Sequence, residues 1–196
     1  MTSVPEYPNR GPATGAVLPV VTALLATISA ATFIVPLAGQ GKAANLTLAD
    51  ASVSTGDAAI VFGVLATIAF IGATLALAYS YALSFDSLPA ERQLALFAKH
   101  KVEETDQDGH RTAYENSSEA LYDEGRRAWQ VGLYLYVLCL AVLVFAHIVW
   151  FSAALALGAA ALSPAVARSL AEGAWRVVWT IVLIIAALVV TAAIVL

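Results

Sequence analysis

Apolar and polar residues along this chain fall into long separate blocks rather than interleaving. Four stretches lack Asp, Glu, Lys and Arg altogether: Val17–Leu37, Ala58–Phe85, Val131–Leu162 and Val177–Leu196, with 21, 28, 32 and 20 residues. A bilayer core about 30 Å thick needs roughly 20 apolar residues in a helix to cross it, and all four stretches are long enough. Lipid offers no partner to bare backbone amides, so a spanning segment is a helix or part of a closed barrel. None of the four alternates with period two, which excludes the barrel. The pattern predicts an all-α integral membrane protein with four transmembrane helices, at 17–37, 58–85, 131–162 and 177–196.

The segments between the spans carry their own signals. Residues 1–16 contain three prolines and read as a flexible arm. The outer loop 38–57 includes Asn45-Leu46-Thr47, a glycosylation sequon. In 86–130, Ser87-Leu88-Pro89 is a helix-start signal, followed by an apolar stripe at Leu94, Phe97, Ala98 and Val102 that should end near Glu104. Asn116-Ser117-Ser118-Glu119 fits a capping box and predicts the start of a second helix. Its face Leu121, Gly125, Ala128 and Gly132 then continues into the third span. Segment 86–130 therefore reads as a helical hairpin whose second arm enters the membrane at Arg126, Arg127 and Trp129.

Counting about 20 residues onward from Trp129 reaches Trp150 and Phe151, an opposite aromatic belt. Ser152–Leu162 is then left over, and this surplus must tilt the helix, project outward as an apolar extension or cover another subunit, which reads as a sign of a partner. Ser163-Pro164 predicts the start of an interfacial helix at 163–176, which leads past Trp175 into the last span.

Composition adds orientation. The chain is 60% hydrophobic and 12% charged, with mean hydropathy +0.80. All of the charge lies outside the apolar blocks, which excludes a soluble enzyme, a disordered chain and a nucleic-acid binder. The first block exceeds a usual signal-peptide core and only Arg10 precedes it, so it reads as a span. Segment 86–130 holds six cations, Arg92, Lys99, Lys101, Arg111, Arg126 and Arg127, and Arg10 lies on the same side. Lys42, Arg168 and Arg176 fall on the other. Seven cations against three predict a cytoplasmic N-terminus, hairpin and C-terminus in the cell membrane. Segment 86–130 also carries ten acids, and such a surface repels anionic lipid and nucleic acid.

Candidate chemistry is sparse. His147 is the one titratable imidazole inside a span, and haem ligation by two histidines would need a second. The lone Cys139 excludes a disulfide within the chain and reads as packing. No nucleophile has a base in reach and no glycine-rich phosphate loop is present, so neither an enzyme nor a bound cofactor is expected.

Three sets of residues remain. Thr22, Ala26, Ser29 and Phe33 share a face of the first span and could line an ion path in an oligomer, although Ser and Thr in a span more often bond their own preceding carbonyls or a neighbouring helix. Gly63, Ala66, Ala69, Ala73 and Ala76 form a small-residue stripe in the second, suited to close helix contact within or between chains. Glu104, Asp106, Asp108, Gly109, Thr112 and Glu115 match the ligand spacing of a calcium loop. Glu at its first position and Arg111 at its eighth depart from that pattern, which favours a plain acidic turn.

The sequence thus points to a non-enzymatic membrane subunit. It would pack with copies of itself or with other subunits in the lipid bilayer. The alternative is an oligomeric channel for inorganic cations, with a pore along the first span and an acidic regulatory hairpin.

Overall fold

The computed structural model describes residues 12–38, 45–48, 51–84, 90–145, 147–171 and 173–195. It is nearly all helical: α1 (Pro12–Ala38), α2 (Thr55–Leu83), α3 (Ala90–His100), α4 (Gln107–Val144), α5 (Val149–Leu170) and α6 (Ala174–Val195). Helices α2, α4, α5 and α6 are each long and apolar enough to cross a membrane, and α1 contributes the shorter apolar stretch Val17–Ala31. The chain is a membrane protein, and its helices differ most from the sequence reading in one place.

That difference lies in the stretch 131–162, which is two helices and not one. A continuous 32-residue helix would be about 48 Å long, well beyond the hydrocarbon core. α4 instead tightens at its end, where Phe145 N–H donates to Val142 O at 3.4 Å and His147 N–H to Val144 O at 3.0 Å. Ile148 then leaves helical geometry at φ −141° and ψ 86°, and exposed His147 sits in the turn. Helix α5 packs back along α4. The eleven residues expected to project outward are therefore part of a returning helix. Pro164, expected near the start of a helix, lies inside α5, where transmembrane packing tolerates the missing N–H.

The centre of the fold is the antiparallel pair α2–α4. Ser118, Gly125, Gly132 and Cys139 are buried at seven-residue intervals along α4. On α2 the buried positions Ala59, Gly63, Ala66, Phe70, Ala73, Leu77 and Ser80 alternate at four and three. Matching heptads of this kind keep two helices in contact along their length. A Cβ built on Gly132 would lie 2.9 Å from the Phe70 ring, and one on Gly125 2.7 Å from Leu77 Cγ. The approach requires glycine at both positions. Asn116–Glu119, expected to open a helix, lies well inside α4, which already begins at Gln107.

Helix α1 packs along α2, and α6 along α5. At one end of the bundle, Ile194 of α6 clusters with Ala59, Val142 and Ala153. Near the other end, Thr22 of α1 meets Thr74 of α2 at 2.9 Å. The start of α1 and the finish of α6 therefore lie at opposite ends of the bundle.

Within the expected outer loop, Asn45–Leu48 (β1) and Ala51–Ser54 (β2) form an antiparallel hairpin with Asn45 opposite Ser54, and β1 lies against α6. Asn45 is exposed. Residues 1–11 of the expected arm and the start signal Ser87-Leu88-Pro89 lie outside the described residues.

Candidate functional site

The hydroxyl face of α1 is turned toward α2. Thr22 and Ser29 are almost fully buried, with Ala26 between them. Ser29 Oγ donates to Gly63 O at 3.3 Å, and Thr67 Oγ1 reaches Ser29 Oγ at 3.1 Å. Seven residues along each helix the arrangement repeats, with Thr74 Oγ1 2.9 Å from Thr22 Oγ1. Thr22 itself donates within its own helix, to Pro19 O at 2.9 Å. Within one chain these hydroxyls bridge two helices. Phe33, placed on the same face by the sequence, has a side chain outside the described set.

The small-residue stripe of α2 is used in part. Gly63, Ala66 and Ala73 are buried, whereas Ala69 and Ala76 are half-buried. Phe70 takes the position between Ala66 and Ala73 on the buried face, because Gly132 leaves room for its ring.

Other hydroxyls do the same work elsewhere. Ser80 Oγ donates to Ser118 O at 2.6 Å, and Ser118 Oγ returns the bond to Ser80 O at 2.7 Å. Tyr134 hydroxyl donates to Leu183 O at 2.7 Å, tying α4 to α6. Ser152 hydroxyl bonds Ala141 O, tying α5 to α4. Cys139 Sγ donates to Ala59 O at 3.3 Å. In hydrocarbon, where apolar packing gives helices no net attraction, each such bond adds about 0.6 kcal/mol to association.

The acidic turn takes a different form from a calcium loop. Glu104–Asp106 is one 3-10 turn, and α4 runs from Gln107 straight through Asp108, Gly109, Thr112 and Glu115. Thr112 Oγ1 donates to Asp108 O at 2.8 Å as an ordinary intrahelical bond. A helix spreads these oxygens along its length instead of wrapping them round one point. Among the described residues no group of three or more His, Cys, Asp or Glu is placed to hold a metal.

The structure does bring together one pair that the sequence keeps ten residues apart. His100 at the end of α3 and His110 in the first turns of α4 have ring centroids 5.4 Å apart. Chain reversal after His100 makes this possible. Lys101 adopts φ +52°, Lys101 N–H donates to Ala98 O at 3.2 Å, and Val102 N–H donates to Phe97 O at 3.0 Å. That is a Schellman cap, with lysine where glycine is usual, so composition gave no sign of it. Phe97 and Tyr114 flank His110, with centroids at 6.3 Å and 5.4 Å. His110 Nε2 is buried with no hydrogen-bond partner.

Comparison with known protein families, with curated proteins and with solved structures finds no match for this chain.

Proposed function

We propose that this protein is a non-enzymatic subunit of a membrane assembly, crossing the cell membrane five times with its N-terminus cytoplasmic and the end of α6 outside. The five-span orientation is supported by charge. With α1, α2, α4, α5 and α6 as the spans, Arg10, the six cations of 86–130, Arg168 and Arg176 share one side and Lys42 alone lies on the other. Nine against one is a sharper positive-inside bias than the seven against three of a four-span reading. A reporter fused after Val195 should be active only outside the cell, and one inserted near Gly109 only in the cytoplasm. Cytoplasmic activity at both positions would restore four spans.

The subunit reading is carried by how α6 packs. Of its 22 residues only Ala187 and Ile194 are buried, and α1 at the other edge rests on α2. Helix α6 lies against α5 and β1 and is tied to α4 through Tyr134, and α1 rests mainly on α2, so each keeps an outward face. The buried serine and threonine hydroxyls are spent on holding the helices together. What remains to act is the outward surface: Trp150, 85% exposed at the α4–α5 turn, and the apolar faces of α1 and α6. Extraction in mild detergent and in lipid nanodiscs, followed by mass measurement, tests this. Recovery of more than one copy, or of a stoichiometric partner, is the expected result. A monodisperse monomer under both conditions would overturn it.

A further inference from the structure

We propose that His100 and His110 form a binding site for a borderline transition-metal ion of the Zn²⁺, Ni²⁺ or Cu²⁺ class, which clamps α3 to α4 at the tip of the cytoplasmic segment. The inference is independent of how many copies assemble. Imidazole nitrogen suits these ions, whereas Ca²⁺ and Mg²⁺ require oxygen. Two imidazoles that hold one tetrahedral ion at about 2.0–2.1 Å bring their ring centres to roughly 5–6 Å. The observed separation is 5.4 Å with the planes inclined at 52°, so the rings are neither stacked face to face nor too far apart to share an ion.

The orphaned nitrogen points the same way. A buried polar atom without a partner forfeits its hydration with no return, so such atoms are rare. His110 Nε2 is one of them, and an ion would satisfy it. Around the pair, residues 99–112 hold Glu103, Glu104, Asp106 and Asp108 against Lys99, Lys101 and Arg111, so local charge does not oppose a cation. The Schellman reversal at Lys101 fixes the end of α3 beside the start of α4, so the two ligands come from separate helices. With two protein ligands, water completes the coordination, and binding is weaker than at a structural zinc site. The consequence is mechanical: metal binding would pin α3 and make the tip rigid.

The experiment uses the full chain in nanodiscs, titrated with ZnCl₂ and NiCl₂ and followed by calorimetry and by thermal unfolding. One ion per chain is expected, with CaCl₂ and MgCl₂ silent. His100→Ala and His110→Ala should each weaken binding at least about tenfold. His147→Ala, at the far end of α4, should leave it unchanged. A spin label at Leu94→Cys, 66% exposed on α3, should lose mobility on adding Zn²⁺ to the parent chain and not to His110→Ala. No binding up to millimolar metal, or binding that survives both His100→Ala and His110→Ala, would overturn the assignment. Equal binding of Ca²⁺ would also overturn it, since that points to carboxylates.

Discussion

If α2 and α4 are held by close backbone approach, adding a single methyl group at Gly125 should push them apart. A Cβ there would stand 2.7 Å from Leu77 Cγ, 3.1 Å from its Cδ2 and 3.2 Å from Leu77 N. Comfortable carbon contacts are about 3.5–4.0 Å. A rotamer change of Leu77 could relieve the first two, but the third is backbone, so α2 itself must move. Overpacking of this kind costs about 1–3 kcal/mol, offset by about 0.5–1 kcal/mol because alanine is the better helix former. The net expectation for Gly125→Ala is a loss of about 1–2 kcal/mol. Gly72, exposed on the same pair with nothing within 4 Å of its Cβ position, is the control: Gly72→Ala should gain about 0.5–1 kcal/mol. Thermal unfolding by circular dichroism in mild detergent reads both. Adding Leu77→Ala to Gly125→Ala removes the nearest clash, and a cycle should give a coupling of at least about 0.5 kcal/mol. If Gly125→Ala stabilises as much as Gly72→Ala, the close-approach account is wrong.

The other expectations concern hydroxyls and turns. Ser80→Ala and Ser118→Ala should each cost about 1 kcal/mol in the same unfolding assay, and the double variant less than their sum, because the two hydroxyls also meet at 3.3 Å and each single variant already removes that contact. Thr22→Val with Ser29→Ala should loosen α1 from α2, seen as faster proteolysis of the N-terminal region. Any current in planar bilayers should be unchanged; a shift in ion selectivity would revive the pore. Gly173 has φ +60°, so Gly173→Ala should destabilise by about 1 kcal/mol through backbone strain, whereas Lys101→Gly should stabilise by a similar amount at φ +52°.

How much of this was legible in the sequence depended on the kind of signal. Long uncharged runs mark membrane character directly, though not how many helices a run such as 131–162 holds. The heptad of small residues on α4 was half visible: Gly125 and Gly132 stood on the predicted face, but Ser118 was assigned to a cap. Its serine and asparagine neighbours are residues that favour caps and turns when nothing packs on them, and here α2 does. The hydroxyls of α1 were found, and of the two uses weighed for them the contacts within one chain are bonds to their own carbonyls and to a neighbouring helix. Composition cannot tell a face that meets water from one that meets Thr67 and Thr74. The histidine pair was hidden because its turn relies on a lysine in a conformation that glycine usually marks.

The break between α4 and α5 is the instructive miss, because neither glycine nor proline announces it. Two facts already bore on it. A 32-residue run is about 48 Å as one helix, leaving surplus apolar length on one side of a 30 Å core. A four-span reading also leaves Arg168 and Arg176 on the wrong side of the positive-inside bias. Taken singly, the surplus length suggested a partner to cover it, and two misplaced arginines were within the ordinary scatter of that bias. In the proposed five-span topology one reversal near His147 removes both: it would turn the surplus into a span and carry both arginines back to the proposed cytoplasmic face. Charge sidedness and span length constrain each other, because each added crossing flips every later cation. An apolar run half again as long as the bilayer needs is therefore best tested by asking which number of crossings puts the cations on one side.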